Sequence, residues 1–108
     1  MATFDDYVKE LRKGVKKLAQ ELVDGLQADA ISDMNAFLRK SERDLKRWTR
    51  QLADGAITRQ DFTDLVQAKK ALAELHELTK AGVADTKLDR FRSDLISLLI
   101  NTAMKVYL

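Results

Sequence analysis

The sequence predicts an all-α protein: an antiparallel, up-down bundle of four helices over about 4–27, 31–53, 58–81 and 86–107. Three observations predict it. The 108 residues contain no proline and only four glycines, so little in the chain interrupts a helix. Apolar residues recur at steps of three and four in four successive stretches. Cap and glycine signals separate those stretches by short turns, and short turns make neighbouring helices antiparallel. The length suits one helical domain over 1–108, which buries somewhat more than ~60% of its unfolded surface.

The first helix carries its stripe on Phe4, Val8, Leu11, Val15, Leu18, Leu22 and Leu26. Thr3 supplies an oxygen cap, and Asp5 and Asp6 place acids in the first turn, where the helix dipole favours them. Gly14 and Gly25 fall on one edge of the stripe. Each costs about 1 kcal/mol against alanine inside a helix, so either a second backbone approaches closely there or the glycines are tolerated drift.

The second stripe, Ile31, Met34, Leu38, Leu45, Trp48 and Leu52 with Phe37 at its edge, is rotated by about a third of a turn from the first. One straight helix cannot aim both at one core. A break is therefore expected between Gln27 and Ser32, with Asp29 or Ser32 as the next cap. One continuous helix that changes partners is the alternative.

The next turn is strongly marked. Asp54 and Gly55 end the second helix, with Gly55 as its left-handed cap. Thr58 and Asp61 form a capping box with Asp in place of the usual Glu or Gln, and Ile57 can staple onto Phe62. The third helix continues through Leu65, Val66, Leu72, Leu75 and Leu78 to Lys80-Ala81-Gly82. Gly55, Ile57 and Asp61 also fit positions six, eight and twelve of a calcium loop, but Arg50 and Leu52 would occupy positions one and three. A cation and a leucine exclude calcium. Leu52, Gly55, Ile57, Thr58, Asp61 and Phe62 together resemble the short helical hairpins called SHOCT domains over about an eighth of the chain, departing from their pattern at Asp61. That resemblance implies an oligomerisation or interaction role.

The last helix starts with Asp85 or Thr86 as cap and carries Leu88, Phe91, Leu95, Ile96, Leu98, Leu99, Ile100, Ala103, Met104, Val106 and Tyr107. From Ile96 on, a narrow polar strip of Ser97, Asn101 and Lys105 continues Arg90 and Asp94 above it. An apolar arc wider than half the circumference needs partners on at least two sides. Either this is the central helix of its own bundle, or its second face meets another subunit, and the sequence reading takes the contact. The residues expected there are Ile96, Leu99, Ile100, Ala103, Met104 and Tyr107. The stretch 95–108 is too short and too interrupted to span a membrane.

Little in the chain points to catalysis. Without cysteine there is no disulfide, thiolate ligand or thiol nucleophile. The single histidine, His76, lacks the Glu-x-x-His partner set of a di-iron bundle; it is expected at the core edge with one hydrogen-bond partner. The glycines are never clustered into a phosphate loop. The expectation is no enzyme, no cofactor, no metal and no small-molecule substrate. An acidic start at Asp5 and Asp6, with no apolar leader, fits a cytoplasmic protein.

Charge is the remaining signal. The net charge is only +2, yet 39–50 holds Arg39, Lys40, Arg43, Lys46, Arg47 and Arg50 against Glu42 and Asp44, a local net of +4. At about 100° per residue all six cations fall within a third of the helix, opposite Met34, Leu38, Leu45 and Leu52. Such a face is either solvated or tracks phosphates. Trp48 lies nearer the apolar side and belongs to the core. Lys9, Arg12, Lys13, Lys16 and Lys17 give the first helix a basic face too; a basic amphipathic helix can lie on an anionic membrane, but here the apolar stripe is needed for the core, so no membrane partner is expected. The expectation is a self-associating structural or protein-interaction module, a homodimer or higher, with a nucleic-acid-binding module as the alternative.

Overall fold

The computed structural model describes residues 2–22 and 25–108. Among the described residues there are helices and turns and no strand: α1 (Phe4–Leu22), α2 (Gln27–Ala53), α3 (Arg59–Gln67), a short 3-10 turn (Lys70–Leu72), α4 (His76–Lys80) and α5 (Asp85–Tyr107). They form a helical bundle of 42 by 23 by 20 Å.

α1 starts where its cap signal lies. The Asp6 amide donates to Thr3 Oγ1 at 3.2 Å and the Thr3 amide returns to Asp6 Oδ2 at 3.0 Å. Its end differs from expectation. The described helix runs to Leu22, Gly25 takes a positive φ of 85°, and α2 begins at Gln27. Gly25 is thus a turn residue and not an interior helical one. Residues 23 and 24 of the expected first helix lie outside the described residues. Neither Asp29 nor Ser32 caps α2; Leu26 precedes it with no side-chain cap. Leu22 and Leu26 both pack half-buried on the core, so the apolar period runs across the turn and hides it.

Gly14 has a different reason. A Cβ there would sit 2.6 Å from Leu98 Cδ1. The close approach is real, but it comes from a side chain of α5 and not from a second backbone.

The turn after α2 matches its signals. Gly55 has φ 76°. Thr58 Oγ1 accepts from the Asp61 amide at 3.0 Å, and Asp61 Oδ2 accepts from the Thr58 amide at 3.0 Å. Phe62 is buried and Ile57 packs partly buried against the same core.

The expected helix over 58–81 is not continuous, and this is the main correction. α3 ends at Gln67, the 3-10 turn follows, and Leu75 takes a left-handed φ of 56° before α4. Three interactions from neighbouring helices replace the missing helical bonds. The buried Asp33 carboxylate of α2 accepts from the Glu77 amide at 2.9 Å and the Leu78 amide at 3.0 Å, capping α4 from outside. Arg92 Nε of α5 donates to the Ala73 carbonyl at 2.6 Å. The kink turns Leu75 into the core, where Ala73, Leu75 and Leu78 are all buried. A regular helix cannot aim residues two apart at the same side.

α5 begins at Asp85 with Ala84 as its N-cap residue, so neither Asp85 nor Thr86 caps it. It packs on α1, α2, α3 and the 3-10 turn. Tyr7 of α1 is fully buried and its hydroxyl donates to the Leu99 carbonyl at 2.8 Å. Lys105 lies 3.5 Å from Glu10. α2 meets the 59–80 stretch at Asp33 with Leu78, Lys40 with Glu74 and Asp44 with Lys69. That stretch meets α5 at Lys70 with Ser93 and Ala73 with Arg92.

Candidate functional site

α2 is 27 residues long, and its two faces divide sharply. Met34, Phe37, Leu38, Leu45, Trp48 and Leu52 are buried, while Arg39, Lys40, Arg43, Lys46, Arg47 and Arg50 are all exposed. The structure therefore brings the six predicted cations together on one solvent face. Three of them are engaged. Lys40 pairs with Glu74 at 2.8 Å, Lys46 with Glu42 at 2.9 Å and Arg47 with Asp44 at 3.2 Å. Among the described residues Arg39, Arg43 and Arg50 make no ion pair within 4.0 Å. On a regular helix these three guanidinium groups start within about 40° of one another, rising about 6 Å and then about 10 Å along the axis.

The neighbouring carboxylates are held in their charged form. The Lys69 ammonium keeps Asp44 below its ordinary value, helped by Arg47 and Arg43. Lys40, then His76, does the same for Glu74. The Glu42 carboxylate raises Lys46.

His76 departs from its expected place. Its side chain is 67% exposed and pairs with Glu74, not with the core. The left-handed Leu75 between them makes this contact possible, since residues two apart on a helix point to different faces.

The six residues expected at a subunit contact fall into two groups. Ile96, Leu99 and Ala103 are buried by the chain's own helices. Ile100, Met104 and Tyr107 are partly buried against the core. Among the described residues Leu108 is the one large hydrophobic side chain that is mostly exposed.

A concave site that the sequence reading missed lies at the end of the bundle where α1 begins and α2 and α5 end. It encloses about 680 Å³ and is lined by Ala2, Thr3 and Phe4, by Lys46, Thr49, Arg50, Ala53 and Asp54, and by Val106 and Tyr107. The Lys46 ammonium stands 5.5 Å from the Phe4 ring centroid. Burial raises the Tyr107 phenol, with the Thr49 hydroxyl opposing. These residues come from three segments far apart in sequence, so no local motif announces them. Among the described residues no group of three or more His, Cys, Asp or Glu could hold a metal ion, and no helix is long and apolar enough to cross a membrane.

Comparison with known protein families, with curated proteins and with solved structures found no match for this chain.

Proposed function

We propose that the chain is a non-enzymatic binding module whose α2 face engages a polyanion, nucleic-acid phosphates first. The observation that carries this reading is the line of Arg39, Arg43 and Arg50, exposed and without internal partners on one helix face. Arginine suits phosphate because its planar fork donates two parallel hydrogen bonds. Lys40, Lys46 and Arg47 widen the same face by exchanging their intramolecular partners for phosphates. Lys9, Arg12, Lys16 and Lys17 on α1 are also exposed and add to the positive potential of the molecule. The absence of cysteine and the exposed position of the lone histidine favour binding over catalysis. A cytoplasmic setting goes with this reading. So does an up-and-down order of helices, supported by pairs such as Glu10 with Lys105 and Asp33 with Leu78.

Fluorescence anisotropy with labelled duplex and single-stranded DNA tests it. Three phosphate contacts give a log affinity that falls with log salt at a slope of about −3. Arg43→Glu, on an exposed position, should flatten that slope and weaken binding without unfolding the protein. Absence of binding to both DNA forms at about 50 mM salt sinks the proposal.

Self-association is the second reading, favoured by Ile100, Met104 and Tyr107 on one flank of α5. Because Ile96, Leu99 and Ala103 face inward, such a contact rests on the flank alone. Light scattering behind size exclusion decides it: a mass of twice 12.3 kDa that Ile100→Asp reduces to the monomer value supports the contact.

A further inference from the structure

The bundle-end pocket combines features that the basic face of α2 lacks. Its floor is apolar: Phe4, Val106 and Tyr107 pack there, each only partly covered, and Ala53 and Ala2 complete it. Its wall is cationic. The Lys46 ammonium leans over the Phe4 ring at 5.5 Å, although Glu42 already neutralises it at 2.9 Å. Arg50 is exposed and makes no ion pair within 4.0 Å among the described residues, even though Asp54, four residues on, lines the same pocket. A guanidinium beside an apolar floor, with no carboxylate at ion-pair distance, can pair with an anion that the floor holds.

We infer that this pocket binds a small amphipathic monocarboxylate, its chain or ring on Phe4, Val106 and Tyr107 and its carboxylate on the Arg50 guanidinium. Three properties choose this class. The volume, about 680 Å³, lies in the range of small-molecule sites. Lys46 is already paired with Glu42, which leaves Arg50 as the cation of the lining without an ion pair among the described residues, and one free guanidinium matches a monoanion. An apolar tail is needed as well, because Arg50 alone is a solvated cation and a single exposed charge pair adds little. The site shares Arg50 and Lys46 with the phosphate-binding proposal, but Arg39 and Arg43, which carry the rest of that face, lie about 16 Å and about 10 Å further along α2.

The probes are octanoate below its micelle concentration and octan-1-ol, which shares the chain and lacks the charge. Amide shifts of the ¹⁵N-labelled protein report the site. Octanoate is expected to give saturable shifts at Thr49, Arg50, Ala53, Val106 and Tyr107, with a Kd of about 1 mM or tighter, and octan-1-ol to bind about threefold more weakly. Arg50→Gln should lower octanoate affinity about threefold and leave octan-1-ol unchanged. Ala53→Phe, which fills the floor from an exposed position, should remove both. Arg43→Glu should leave octanoate binding intact while weakening DNA, so either proposal can fail without the other. Shifts at other residues, no saturation with octanoate, or equal affinity for the acid and the alcohol overturns the inference.

Discussion

The long helices and the 59–80 stretch rest on the same core but are held there by different means. α1, α2 and α5 run unbroken for 19, 27 and 23 residues and meet through interdigitated side chains such as Tyr7, Leu11, Phe91, Leu95 and Leu99. The 59–80 stretch breaks twice and is tied down by polar groups of its neighbours: Asp33, Lys40 and Asp44 from α2, and Arg92 from α5. A helix satisfies its own backbone, whereas a broken segment borrows partners from elsewhere. The difference shows that α2 is both a core helix and a scaffold for a segment built of short, interrupted helical pieces.

Three substitutions probe this contrast. Leu99→Ala, at the centre of the interdigitated seam, is expected to destabilise the whole fold by about 2–5 kcal/mol. Urea melts should show a lower midpoint with unchanged slope. A loss confined to one helix would show that the long helices are not one cooperative unit. Asp33→Ala removes the acceptor of two α4 amides, one of them buried, and is expected to cost about 3 kcal/mol. Hydrogen exchange should accelerate at Glu77 and Leu78 more than anywhere in α1. Equal acceleration throughout would mean that 59–80 is not a separately tethered segment. Ser41→Ala acts in the opposite direction. Ser41 is 1% exposed and its Oγ has no hydrogen-bond partner, and alanine is the better helix former. A gain of up to about 1 kcal/mol is expected, and a loss in the melt would show that the hydroxyl has a partner.

The same contrast explains what could be read from sequence. Periodicity identifies α1, α2 and α5 because each buries one continuous stripe or arc, and the Thr58–Asp61 cap is visible because its chemistry is local. The break at Leu75 is invisible. Ala73, Glu74 and Leu75 are good helix formers with no glycine or proline nearby, and the carboxylate that caps the helix after the kink, Asp33, lies some forty residues away. The Gly25 turn is hidden for a related reason: Leu22 and Leu26 keep the apolar spacing across it. The cations of α2 were found because a charged face repeats with the helix. The bundle-end pocket was not, because Phe4, Arg50 and Tyr107 belong to no common period and meet only when three helix ends converge.

The hydrogen bond from Tyr7 to Leu99 joins residues 92 apart in the chain. Closing a loop of that length costs about 2 kcal/mol more entropy than closing one of ten residues, and no reward arrives until the intervening chain is compact. Adjacent helix pairs close far shorter loops. The α1–α5 seam is therefore the entropically dearest contact in the molecule, and the order of assembly it favours is hairpins first and seam last. A bundle whose neighbours in space are mostly neighbours in sequence thus keeps one slow, long-range step, set by where Tyr7 finds its carbonyl.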